Sequence, residues 1–132
     1  MSKGPHYETG KAIRNKLLGE AEASKISETV YADPMMEKFR DYAIEAVFGM
    51  LWSRPGLDLK TRALICVVSD TAIHAWPELK IHLRMARNMG WTEEELSEAL
   101  MHMSGYVGLP AVREALLEAK AVFEEMRKEG AK

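Results

Sequence analysis

Apolar residues recur along most of this chain at three- and four-residue intervals, the spacing that gathers side chains on one face of a helix. The clearest case begins at Asp33-Pro34, an N-cap followed by proline at the first helical position, and predicts a helix over residues 34–51. Met35, Met36, Phe39, Tyr42, Ala43, Ala46, Val47 and Met50 fall on one side of it, and that side is expected to be buried. Arg54-Pro55-Gly56 breaks the segment, and Asp58 caps the next one, residues 59–74. Within it, residues 63–68 are apolar all round, which places them in the middle of a domain or at a subunit interface. Trp76-Pro77 restarts the chain into a helix over residues 78–89 that Gly90 ends. Thr92 with Glu95 three places on forms a capping box that opens a helix to about residue 103. Gly105, Gly108 and Pro110 mark residues 104–110 as a bend, and a last amphipathic helix follows over residues 111–128. Ahead of all these, residues 5–18 suggest a short helix or arm that stops at Gly19. Residues 20–32 carry few apolar positions and read as a connector with one helical turn around residues 26–31. No stretch alternates apolar and polar residues between turns, so the expected class is all-α, without an internal repeat.

Length and composition narrow this further. The 132 residues suit a single domain over residues 1–132, with residues 1–33 as an N-terminal arm and residues 34–128 as the helical core. A 47% hydrophobic and 29% charged composition supports a packed core and excludes a disordered or low-complexity chain. With 18 basic and 20 acidic residues the formal charge is −2, so no overall basic field favours nucleic acid or anionic lipid. One cysteine, Cys66, cannot make an intramolecular disulfide, a CxxC pair or a cysteine-based zinc site, and it suits a reducing, cytoplasmic setting. No apolar run approaches the roughly 18 residues of a membrane span, and the N-terminus lacks a signal-peptide pattern.

Five groups of residues could carry chemistry. Glu78 and His82 stand four apart on one predicted helix face, where a carboxylate can orient an imidazole for acid–base work; the alternative is an exposed helix pair contributing a few tenths of a kcal/mol. Asp70 interrupts an otherwise apolar helix and needs a partner, either in an ion pair with His74 or Arg62 or as a proton-handling group. Cys66, one turn away, reads as a buried inert thiol rather than a nucleophile. His102 and Tyr106 precede the glycine-rich bend, as a pocket wall or as partners in local hydrogen bonds. The histidines show neither an HxxxH nor an HExxH spacing, and no metal is expected.

Four stretches taken together resemble the carboxymuconolactone decarboxylase family. They are Gly10-x3-Arg14-x3-Leu18-Gly19; Trp52-Ser53-Arg54-Pro55-Gly56-Leu57-Asp58 with Thr61-Arg62; Glu78-Leu79-x2-His82-Leu83-Arg84 through Gly90; and Tyr106-x-Gly108-x-Pro110. The resemblance covers most of the chain. It implies an alkylhydroperoxidase D-like all-α fold with a central antiparallel helix pair, assembled as a homo-oligomeric ring, a trimer or hexamer. It further implies a cytoplasmic carboxy-lyase of aromatic catabolism that removes CO2 from a small carboxylated lactone without a cofactor, since the substrate's own conjugated carbonyl accepts the electrons. On that resemblance His82 is the general acid or base and Glu78 orients its ring. Arg54 or Arg84 clamps the substrate carboxylate, or else caps a helix or joins an ion pair, and Trp52, His102 and Tyr106 line the pocket; Asp70 and His74 are expected to bind substrate as a pair new to that pocket. Glu78 stands where the alkylhydroperoxidase group has the second cysteine of its CxxC pair, so thiol peroxidase chemistry is not expected.

The chain also departs from close members of that family. It carries Ala75-Trp76-Pro77 just before Glu78, and Asp70 where many have a small or apolar residue. These changes leave open another proton-transfer, hydrolytic or ring-forming reaction on a small acid, or a non-catalytic oligomeric binding protein.

Overall fold

The computed structural model describes residues 3–130. Among them there is no strand: the chain runs through eight α-helices and one π-helical segment, in agreement with the all-α expectation. The helices are α1 (Tyr7–Leu18), α2 (Glu20–Thr29), α3 (Pro34–Ala43), a π-helical segment (Ile44–Leu51), α4 (Leu59–Ile73), α5 (Trp76–Asn88), α6 (Glu93–His102), α7 (Ser104–Val107) and α8 (Leu109–Lys128). They gather into two compact units, Met1–Asp58 and Leu59–Lys132. No helix among the described residues is long and apolar enough to cross a membrane.

In the first unit, α1 lies against the π-helical segment, with α2 and α3 packed on this pair. The approach is close because both helices present glycine. A Cβ on Gly10 would overlap the Ile44 carbonyl oxygen and stand 2.8 Å from the Gly49 nitrogen, and one on Gly49 would overlap the His6 carbonyl. The Trp52 N–H reaches back five residues to the Val47 carbonyl at 2.9 Å, the wider turn of a π-helix. Asp33 caps α3 as expected, its carboxylate accepting from the N–H groups of Met35 and Met36 at 2.9 and 3.0 Å.

Two expectations for this unit are corrected. Residues 20–29 form a helix rather than a connector. Ala23 and Ile26 bury a narrow stripe three residues apart, and the remaining positions are mostly good helix formers that propensity supports without burial. The apolar side of residues 34–51 is also not buried in the chain: Met35 is 72% exposed, Tyr42 68% and Phe39 55%. Periodicity shows that a helix has an apolar face, but not that the same chain covers it.

The second unit is built on α4 and α5, which fold back on each other through the short turn at His74–Ala75. Two contacts fix the antiparallel register. Asp70 meets His82 near the turn, and the Trp91 indole N–H donates to the Lys60 carbonyl at 2.8 Å at the far end, with the Lys60 ammonium 4.5 Å from the ring centre. Helix α8 packs across the pair and α6 packs on α8. Val67, Leu79, Leu83, Leu96 and Leu100 are fully buried between these helices, each worth roughly 1.5–3 kcal/mol of transfer free energy. The Thr92 capping box forms as read from the sequence. The expected bend over residues 104–110 instead contains the four-residue helix α7, and α8 begins at Leu109, ahead of Pro110.

Candidate active site

Asp70 lies on the buried face of α4 with 7% of its surface exposed, where an ionised carboxylate is costly without a partner. Its partner comes from the facing helix. Oδ2 of Asp70 lies 2.5 Å from Nδ1 of His82, across the α4–α5 turn and twelve residues away. A carboxylate only accepts, so Nδ1 carries the proton and donates it, and Nε2 is the ring nitrogen left for other chemistry. The turn itself strengthens the placement. His74 adopts a left-handed backbone with φ 59°, and the Ala75 N–H returns to the Asp70 carbonyl at 2.9 Å, which fixes the main chain beside the carboxylate. The His82 side chain is 18% exposed, so the ring is held at an edge of the unit rather than sealed within it.

This constellation can hold an imidazole in one tautomer and one orientation while it exchanges a proton through Nε2. Two comparisons with known proteins bear on what it is for. The model of the carboxymuconolactone decarboxylase family matches residues 37–121. The 4-carboxymuconolactone decarboxylase of Acinetobacter baylyi is 33% identical over 126 residues, covering 96% of this chain and 92% of that protein. The chain belongs to the carboxymuconolactone decarboxylase family. Nitrosuccinic acid decarboxylase npaB of Metarhizium robertsii is 32% identical over 126 residues, 94% of this chain and 85% of that one. An uncharacterised 15.0 kDa protein of Paracoccus denitrificans is 38% identical over 84 residues, 62% of this chain and 63% of that one. On these likenesses the chain is a carboxy-lyase of this family.

Several of the expected site residues lie apart from His82 or are engaged elsewhere. Glu78 shares α5 with His82 but is exposed, and its carboxylate makes no hydrogen bond or ion pair with the His82 ring. The carboxylate that meets the His82 ring is Asp70. Nor does Asp70 pair with His74, which stacks on Trp76 with ring centres 5.3 Å apart. Arg84, a candidate carboxylate clamp, is occupied: its two terminal nitrogens donate to Glu129 at 2.9 Å each, and one also meets Glu125 at 2.8 Å, tying α5 to α8. His102 and Tyr106 do come together, ring centres 5.2 Å apart, but both are exposed. Trp52 and Arg54 belong to the first unit. There Trp52 is buried against Phe48 at 5.6 Å, and Arg54 lies exposed in the loop after the π-helical segment.

Cys66 is half-buried on α4, and burial together with the negative charge of Asp70 pushes its thiol up to about 11. Such a thiol is protonated at neutral pH and is a poor nucleophile, as the sequence suggested. Among the described residues no three histidine, cysteine, aspartate or glutamate side chains come together as a metal site would need.

The Asp70–His82 pair was missed because intrahelical spacing drew attention to Glu78. A signal was available: the hairpin turn lies between Asp70 and His82 at comparable distance from each. Folding α4 back on α5 therefore brings the isolated acid of one helix onto the isolated imidazole of the other.

Proposed function

We propose that this chain decarboxylates a small carboxylated lactone by acid–base chemistry at His82, with Asp70 as positioning residue. The Asp70–His82 hydrogen bond is the observation that carries the reading. The substrate's C–CO2 bond breaks heterolytically, and the electron pair left on carbon spreads through the conjugated double bond into the lactone carbonyl, giving a dienolate. The doubly protonated imidazole then gives its Nε2 proton to carbon and keeps its Nδ1 proton on Asp70. Water restores the Nε2 proton for the next turnover. Because the substrate accepts its own electrons, no cofactor is required for this step, and the reaction belongs to the cytoplasmic breakdown of aromatic compounds.

The Metarhizium relative supports a second substrate within the same chemistry. Nitrosuccinic acid carries its electron sink as a nitro group beside a carboxyl, so loss of CO2 leaves a nitronate that needs protonation at carbon in the same way. The two substrates share a small acid whose departing carboxyl lies next to an electron-withdrawing group.

The exposed apolar residues of α3 and the π-helical segment, Met35, Phe39, Tyr42, Val47 and Met50, support association of several copies, for which light scattering is the direct measurement. Activity is tested by following CO2 release from 4-carboxymuconolactone and from nitrosuccinate with wild type and His82→Ala. We expect turnover of at least one substrate and a loss of about 10²–10⁴-fold in the variant, with the helical circular dichroism signal unchanged. Activity that survives His82→Ala would overturn the assignment.

A further inference from the structure

A second charged group is buried among the described residues, and no described carboxylate pairs with it. Gly10 lets α1 press onto the π-helical segment, and one turn later on α1 Arg14 has only 8% of its surface exposed. Its Nη1 donates to the Ser27 hydroxyl of α2 at 3.2 Å, and no described carboxylate lies within ion-pair distance of its guanidinium. Removing a guanidinium from water without a matching anion is unfavourable by several kcal/mol. Burial is the largest influence on this group and pulls it below the ordinary arginine range; the neighbouring Arg40 charge acts in the same direction. Arg40 itself is balanced by Asp41 and Glu37, whereas Arg14 meets no described carboxylate.

Arg14 opens onto a cavity of about 420 Å³ lined wholly by residues of the first unit. Lys11 and Arg40 add positive charge to its wall, Asn15, Ser24 and Ser27 add uncharged hydrogen-bonding groups, and Tyr7 and Ile44 supply ring and hydrocarbon surface. Glu20 and Glu28 also stand at this wall, both exposed, and oppose a multiply charged ligand. We infer that this cavity is a binding site for a small organic monocarboxylate, its two oxygens seated on the Arg14 guanidinium and the Ser27 hydroxyl and its body against Tyr7 and Ile44. The planar guanidinium fork matches a carboxylate edge-on, and the two glutamates disfavour a phosphate dianion at the same place.

Thermal unfolding and calorimetric titration with acetate, benzoate and inorganic phosphate, at ionic strength held constant with sodium chloride, test the site. For wild type we expect benzoate to raise Tm by about 3 °C near saturation, acetate to act more weakly, and phosphate to do no more than chloride. Arg14→Met should abolish the benzoate shift. Ser27→Ala should weaken benzoate binding about threefold and covers the case in which Arg14→Met does not fold. His82→Ala should bind benzoate like wild type. No shift with either carboxylate, phosphate acting more strongly than benzoate, or benzoate binding unaltered in both Arg14→Met and Ser27→Ala would each overturn the inference.

Discussion

Among the described residues each of the two compact units buries one charged side chain, and the two are treated differently. On α4, Asp70 meets an imidazole from the facing helix at 2.5 Å, while on α1, Arg14 meets only a hydroxyl at 3.2 Å. A buried charge with a titratable partner makes a fixed proton-transfer pair. One that faces a polar cavity without a counter-ion makes a place for a ligand of opposite sign. Neither arrangement could be chosen on stability grounds alone, since apolar residues of similar volume would fill both positions at no greater cost.

The contrast is broken most strongly at Asp70. Asp70→Asn is expected to lower kcat for decarboxylation by about 10²-fold or more, because the ring loses a charged, acceptor-only partner and the amide can present an N–H to it instead. Glu78→Gln should stay within about threefold of wild type. Steady-state rates of the two variants separate the roles of the two carboxylates.

The next largest effect is expected at Gly10. Its Cβ position is taken by main-chain atoms of the π-helical segment, which cannot move aside as a flexible side chain would. Gly10→Ala should cost about 3 kcal/mol in urea unfolding and weaken the benzoate response, since Arg14 lies one turn along the helix that would have to shift.

How far the sequence foretold this picture depends on whether a signal is local. Caps were legible: Asp33, Thr92 with Glu95, and Gly19 at φ 85° all act within a few residues of themselves. The antiparallel helix pair was legible as well, through the resemblance. What could not be read was anything settled between helices. Glu78 looked like the partner of His82 because one helix turn is visible in a sequence, whereas the register of α4 on α5 is not. Arg14 looked like one motif position among several until its burial and its lack of a carboxylate were seen together. The α3 face looked like core because apolar spacing is silent about which chain covers it.

Arg84 sharpens the comparison from the other side, as an arginine whose charge is fully answered. Arg84→Met should lower stability by about 1 kcal/mol through loss of the Glu125 and Glu129 contacts and leave kcat near wild type, as denaturation and rate measurements can show together. The smallest effect is expected at Cys66. With its thiol near 11 rather than the ordinary 9.0, the reactive thiolate is rare at pH 8. Iodoacetamide should label it about a hundredfold more slowly than an ordinary thiol at that pH, speeding up as pH rises towards 11. Cys66→Ala should remain active.

The most direct test of the central claim is the tautomer of one ring. In protein carrying nitrogen-15 histidine, long-range proton–nitrogen correlation spectra of the neutral His82 imidazole should place its proton on Nδ1, with a downfield proton signal that Asp70→Asn removes and Glu78→Gln leaves in place. A proton found on Nε2 instead, or a signal that follows Glu78 and ignores Asp70, would contradict the account.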